Sequence, residues 1–247
     1  MPLDPGTLIC QRYRIECLHK LGSHGAVYKV HDTILHRRLA IKENLIADPP
    51  YQHHFRQEAN ILAHLRHPHI PRVIDFLAHD GGQFLVMDFV EGENCADWIA
   101  HSSLPPDHLI QLLKGVFLAL TYLHSSRPPI IHRDVEPSNV ILTPDGRAIL
   151  VDFGFAKVFQ AGQPIPRTDQ RSDQYSLAAT IYALLTRHIP ADSLERALGK
   201  ETYRSASSFN SDVPHRVDIA LTRAMEINAN DRYPDIDAFW RALLGEG

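Results

Sequence analysis

The chain has 247 residues, 44% hydrophobic and 22% charged, with a formal net charge of −4. That length accommodates one large domain or two lobes with separate cores, and the composition excludes a disordered chain. The acidic balance argues against a dedicated nucleic-acid binder, which needs an excess of Lys and Arg on one face, and three cysteines without C-x-x-C spacing argue against a disulfide framework or a cysteine-rich zinc site.

The opening MPLDPGTLIC has no basic flank, and no apolar run approaches the length of a bilayer span, so the chain is expected to be soluble, cytoplasmic and without a membrane span. Reduced thiols at Cys10, Cys17 and Cys95 agree with that compartment. Of the sixteen histidines, the densest are His53-His54 and the pair in RHPHIP, where Pro68 prevents an i, i+4 ligand geometry between His67 and His69. Packing and surface roles are therefore expected for them.

In chain order, residues from about 12 to 90 read mostly as strand. YRIECLHKLG, AVYKVHD, RRLAIKENL and FLVMDFV are rich in β-branched and aromatic residues. One helix interrupts them in YQHHFRQEANILAHLRH, where Phe55, Ala59, Leu62 and Leu65 mark a single face that Pro68 ends. After Gly92 the pattern turns helical. Pro105-Pro106-Asp107 opens a helix carrying Leu109, Leu112, Leu113, Val116, Phe117 and Leu120. IIHRD is a strand-to-loop junction, and VILTPDGRAILVDFG is a hairpin turned by Pro-Asp-Gly. SDQYSLAATIYALLT is apolar nearly all round, which predicts a buried helix, and RVDIALTRAMEIN and DIDAFWRALL close the chain as amphipathic helices. A small strand-rich lobe and a larger helical lobe are expected to join near GENCAD.

Several stretches carry chemistry. In KLGSHGAVYKV two glycines between strands permit close backbone approach to a phosphate, although such a hairpin is also an ordinary turn. Lys42 lies inside the apolar strand LAIKE and needs an anionic partner; Glu58, on the one helix of that lobe, is the natural one, in a pairing that suits either structure or catalysis. HRDVEPSN supplies Asp134 and Asn139, and DFG supplies Asp152. One carboxylate to orient a hydroxyl, with an Asn and a second carboxylate to hold magnesium, is what phosphoryl transfer requires.

Together these segments resemble the protein kinase family, in particular bacterial Ser/Thr kinases, over nearly the whole chain. LAIK resembles the V-A-I-K motif, HRDVEPSN the catalytic loop, and DFG is intact. RHPHIPRV and FLVMDFVEGE resemble the segments leading into the hinge, RSDQYSLAATIYALLT the buried helix whose Asp173 braces the catalytic loop, and ANDRYP, with Arg232, a late motif. The resemblance implies an α+β, bilobal fold: one kinase domain over 1–247, with a small antiparallel β-sheet lobe containing one helix (12–90) and a larger, mainly α-helical lobe (91–247). It implies ATP and Mg²⁺ as cofactors and a protein substrate, with no nucleic acid; a separate regulatory protein is a further expected partner.

Carried over residue by residue, Leu21, Gly22, Ser23, Gly25 and Val27 cover the nucleotide, between Ala40 above and Ile141 below. Lys42, braced by Glu58, holds the α- and β-phosphates. Met87 resembles the gatekeeper, and the backbones of Asp88 and Val90 meet the adenine edge. Asp134 is the implied catalytic base, and Asn139 and Asp152 the implied metal ligands. Leu62, His132 and Phe153 resemble members of the hydrophobic stack of active kinases, and Phe155 resembles the bulky residue of kinases preferring Ser over Thr.

Three departures stand out. Gly22 and Val27 are five positions apart, where the family pattern has seven, so the tip over the phosphates is missing. No A-P-E follows DFG, and Asp152 to Asp173 is only 21 positions, which leaves Arg232 without the usual Glu and in need of another acid or water. Thr168 lies in this short stretch and is a candidate phosphorylation site for Arg133 to read. Glu136 stands where the family has a Lys on the transferring phosphate. It is expected to slow transfer unless it points away or Lys157 or Arg147 neutralises it. The leading expectation is an active Ser/Thr protein kinase; the alternatives are a pseudokinase, a nucleotide-binding or scaffold module with little phosphotransfer, and a small-molecule kinase.

Overall fold

The computed structural model describes residues 2–22, 25–46, 48–158 and 169–246. It divides into two units, Met1–Glu91 and Gly92–Gly247.

The first unit is a six-stranded antiparallel sheet with one helix. Its strands are β1 (Leu8–Ile9), β2 (Tyr13–Leu21), β3 (Gly25–Asp32), β4 (Arg37–Asn44), β5 (Val73–His79) and β6 (Gly82–Asp88), in the order β1-β2-β3-β4-β6-β5. Helix α1 (Pro49–His64) joins β4 to β5 and starts on two prolines, whose fixed φ suits a first turn. Its expected face is buried at Phe55, Ala59, Leu62 and Leu65, and it ends at His64, short of Pro68. Strands β1 and β5 carry no strong pattern and were not expected from sequence. On β3 the alternation is complete: Ala26, Tyr28, Val30 and Asp32 all face inward. Asp32 is wholly buried there because Arg12 bonds it through two nitrogens, at 3.0 and 2.7 Å. Tyr28, equally buried, donates to Glu43 at 2.6 Å.

The second unit holds, in chain order, β7 (Glu93–Asn94), α2 (Cys95–His101), α3 (Pro106–Leu112), α4 (Lys114–Ser125), β8 (Ile130–Ile131), β9 (Val140–Leu142), β10 (Ala148–Leu150), β11 (Lys157–Val158), α5 (Gln170–Thr186), α6 (Ser193–Ala197), α7 (His215–Ala224) and α8 (Ile236–Leu244). The helix expected after Pro105 is thus two helices, broken at Leu113. The Pro-Asp-Gly hairpin forms between β9 and β10 and pairs with β7, while β8 pairs with β11. A Cβ on Gly92, at φ +152°, would collide with the Leu142 carbonyl, so only glycine lets the chain enter this small sheet. Helix α5 is capped by Asp169, which accepts from Arg171 N, and buries Leu177, Ala178, Ile181 and Tyr182. Aromatic packing of Phe117 against Phe239 and Trp240 joins α4 to α8.

The overall class is α+β, with an antiparallel sheet in one unit and mainly helices in the other. No helix among the described residues is long and apolar enough to cross a membrane.

Candidate functional site

The expected site residues fall into two sets, one in each unit. In the first unit, antiparallel register decides which side chains share a face. Val27 and Leu85 lie opposite Lys42, and Lys29 and Met87 lie opposite Ala40, so Val27, Ala40, Lys42 and Met87 occupy one face of the sheet. Leu39 and Ile41 alternate onto the other, within the core. From α1, Glu58 reaches Lys42 with both oxygens, at 2.8 and 3.0 Å. The Glu58 side chain is 3% exposed and that of Lys42 16%. The pairing expected from sequence is therefore made, in a geometry that holds the ammonium on the Val27–Ala40–Met87 face.

The glycine hairpin closes with Gly22 N–H donating to Gly25 O at 2.9 Å and Leu21 opposite Ala26. A Cβ on Gly25 would stand 2.5 Å from the Glu43 carbonyl, so this glycine is required by the approach of β4. At Gly22 the nearest atom would be 3.6 Å away, and the fold itself makes no such demand. Ser23 lies outside the described residues. At the end of β6, the Asp88 N–H donates to Arg72 O at 3.0 Å; Val90 follows in the short link to Gly92.

In the second unit, the loop after β8 is held from beneath by Asp173. Its fully buried carboxylate accepts from His132 N at 2.9 Å, Arg133 N at 2.7 Å and the His124 ring at 2.8 Å. These bonds fix the chain through Arg133, whose φ is +70°. Asp134 follows, its N–H donating to His132 Nδ1 at 3.3 Å. Asn139, 1% exposed at the end of a single 3-10 turn, donates its amide to Asp134 O at 3.0 Å and to Asp134 Oδ2 at 2.8 Å. Its backbone carbonyl takes the N–H of Val151 at 2.9 Å, tying the loop to the segment that carries Asp152. Asp152 is at φ +63°, and the Gly154 N–H donates to its Oδ1 at 3.3 Å. Phe153 is buried edge-on to His132, ring centroids 4.6 Å apart, and burial pushes the His132 imidazole below its ordinary pKa, which keeps it neutral. Ile141 lies on β9 opposite Asn94 and Ile149.

The departures from pattern also have structural answers. Arg147 bonds Asp145 at 2.7 Å and does not neutralise Glu136. No ion pair joins Lys157 to Glu136 among the described residues; Glu136 instead takes the Ser138 hydroxyl. Among the described residues Arg232 forms no ion pair with an acid: it donates to the carbonyls of Glu226 at 2.7 Å, Arg171 at 2.8 Å and Ile227 at 3.3 Å, and lies over the Tyr175 ring. Thr168 lies outside the described residues. His124 had no local signal, because its partner is 49 residues away.

The sequence matches the protein kinase domain family over residues 18–233. It is 30% identical over 92% of its length to a probable serine/threonine-protein kinase of Streptomyces coelicolor, and 31% identical over 90% to the serine/threonine-protein kinase PknF of Mycobacterium tuberculosis. The chain spans 38% and 53% of those two proteins. The crystal structure of the Mycobacterium tuberculosis PknI kinase domain superposes with a TM-score of 0.78 at 29% identity, each chain covered in full. From the bidentate Lys42–Glu58 pair, the Asp173-braced loop and this match, the chain belongs to the protein kinase family and has its fold.

Proposed function

We propose that the chain transfers the γ-phosphate of ATP to a serine or threonine hydroxyl of a protein. Protein kinases in general use ATP and a divalent metal, and the relatives above are named serine/threonine-protein kinases. The observation that carries the reading is the Asn139 amide clasping both the carbonyl and the carboxylate of Asp134, because it fixes the acid proposed to orient an acceptor hydroxyl.

In this reading Asp134 accepts the acceptor hydroxyl's proton through its carboxylate. Lys42, held by Glu58, supplies positive charge to the α- and β-phosphates, with Leu21, Gly22, Ser23, Gly25 and Val27 over the nucleotide. Ala40 and Met87, with the backbones of Asp88 and Val90, are the adenine contacts proposed for the first unit, and Ile141 is the one proposed for the second. Asn139 and Asp152 would hold Mg²⁺. Among the described residues no three His, Cys, Asp or Glu side chains group as a metal site. The donor set nonetheless suits Mg²⁺, which binds through one or two protein oxygens and completes its shell with phosphate and water. When bound, the metal neutralises charge developing on the phosphates.

The experiment is incubation with labelled ATP, Mg²⁺ and a general protein substrate, beside Asp134→Asn. Transfer by the wild type that the variant loses supports the reading. No transfer by either, together with a rise in melting temperature on adding ATP, would mean a nucleotide-binding scaffold instead.

A further inference from the structure

The second unit contains a groove of about 430 Å³, walled on one side by the loop Arg133–Pro137, floored by α5 at Tyr175, Ser176, Ala179, Thr180 and Ala183, and closed by Ile189–Ser193. Its size falls in the range of sites that accept a ligand or several side chains. Three carboxylates line it, those of Asp134, Glu136 and Asp192, against one cation, Arg133. Among the described residues no Lys, Arg or His lies within 4.0 Å of the Glu136 or Asp192 carboxylate. Glu136 takes only the Ser138 hydroxyl, and Asp192 caps α6 with Oδ1, accepting from Leu194 N at 2.8 Å and Glu195 N at 3.1 Å.

We propose that this groove binds the acceptor protein next to its target hydroxyl and selects an Arg or Lys within a few residues of it, read by Glu136 and Asp192. The inference rests on the phosphotransfer reading, since it takes Asp134, on the groove wall, as the acceptor's partner. An extended peptide fits better than a free cation because the lining is not only acidic: Ile189, 91% exposed, gives it an apolar wall. The Glu136 that reverses the family's Lys thereby acquires a role. It withdraws a positive charge from the phosphate and offers a negative one to the substrate, and two acids lining one groove, neither in an ion pair among the described residues, complement a basic side chain.

The test uses three acceptor peptides identical except for Arg, Gln or Glu beside the serine. With wild type, kcat/KM for the Arg peptide should exceed that for the Gln peptide by about fivefold or more, as expected for two partly exposed charge pairs, mainly through KM. The advantage should shrink in high salt. Glu136→Gln with Asp192→Asn should erase it; both changes keep a polar side chain, and Asn preserves the helix cap. Equal rates with the Arg and Gln peptides in wild type, or a preference surviving the double substitution, overturns the proposal. Anisotropy of labelled peptides on the intact protein gives a second readout that needs no transfer. Charge-selective binding lost in the double variant, without transfer, upholds the groove and refutes the kinase reading. Transfer without charge selectivity in rate or binding does the reverse, and neither transfer nor selective binding refutes both.

Discussion

The ring of His124 and the carboxylate of Asp173 meet at 2.8 Å, with side chains only 7% and 0% exposed. A carboxylate can only accept, so His124 Nε2 carries the proton. The same Asp173 holds the N–H groups of His132 and Arg133, and His124 therefore acts on the loop of Asp134 at one remove. His124→Ala should cost about 1–3 kcal/mol in urea unfolding, because it leaves a buried carboxylate one donor short. It should also reduce kcat more than it raises KM for ATP. His124→Gln, which keeps a donor near Nε2, should recover part of both. A stable, fully active Ala variant would mean that the backbone bonds alone position the loop.

Lys42 and Glu58 form a pair in which neither side chain is more than 16% exposed. Glu58→Ala takes both carboxylate oxygens away from a partly buried ammonium, and should destabilise the first unit by about 2–4 kcal/mol, below the cost for a wholly buried pair. Lys42→Met removes the charge proposed to meet the phosphates. It should lower transfer by about 10²–10³-fold, the scale of one preorganised electrostatic contact, and raise the concentration of ATP needed to shift the melting temperature. If Lys42→Met kept near-normal turnover, the pair would be structural only.

Asp32 is held at a pKa of about 2, below the ordinary 3.8, first by its bond to Arg12 and then by the N–H groups of Leu35 and Ile34, against the cost of burial. The unfolded chain binds this proton near pH 4, whereas the folded chain resists it down to about pH 2. The stabilisation is therefore present above about pH 4 and is lost as pH falls from there toward 2, on the order of 1–2 kcal/mol. Urea midpoints between pH 5 and 2 should drop less steeply in Asp32→Asn, which begins from a lower stability at pH 6. Parallel curves would mean that other carboxylates carry the acid limb.

Legibility in the sequence followed the range of the interaction. The face of α1 was readable because Phe55, Ala59, Leu62 and Leu65 repeat locally, and the β9–β10 hairpin because Pro-Asp-Gly is its own signal. Strand β5 was not: it is one of the sheet's two edge strands, half-buried along most of its length, with an irregularity between Val73 and Asp75 that breaks any alternation. Of the candidate site, Lys42 pointed to Glu58 because a buried ammonium needs an acid. The His124–Asp173 contact could not be read, since nothing in a window of residues announces a partner 49 positions away. Charge reversal at Glu136 was visible, but its surroundings were not: Arg147, a plausible neutralising partner by proximity in sequence, is taken by Asp145.

Arg232 shows how the chain manages without the A-P-E glutamate. Three guanidinium nitrogens each meet a different backbone carbonyl, of Glu226, Arg171 and Ile227, while the ring of Tyr175 lies 4.9 Å from its carbon. Burial pushes its pKa down, against the opposing pull of Tyr175 and Asp169 and with the smaller help of Arg171 and Arg196, but an arginine remains protonated regardless. The planar fork thus ties the loop after α7 to the first turn of α5. Arg232→Ala should orphan these carbonyls and lower stability by about 2–3 kcal/mol. Arg232→Lys should rescue little, because one ammonium on a flexible stem cannot reproduce a fork spread over three carbonyls and a ring. Specific activity per folded molecule should fall less than stability does, since Arg232 reaches the acceptor groove only through the Tyr175 ring and touches none of the residues proposed to act on ATP. Thermal melts and active-site titration of the two variants would separate these effects, and full rescue by Lys would show that charge alone, rather than the geometry of the fork, is what the loop requires.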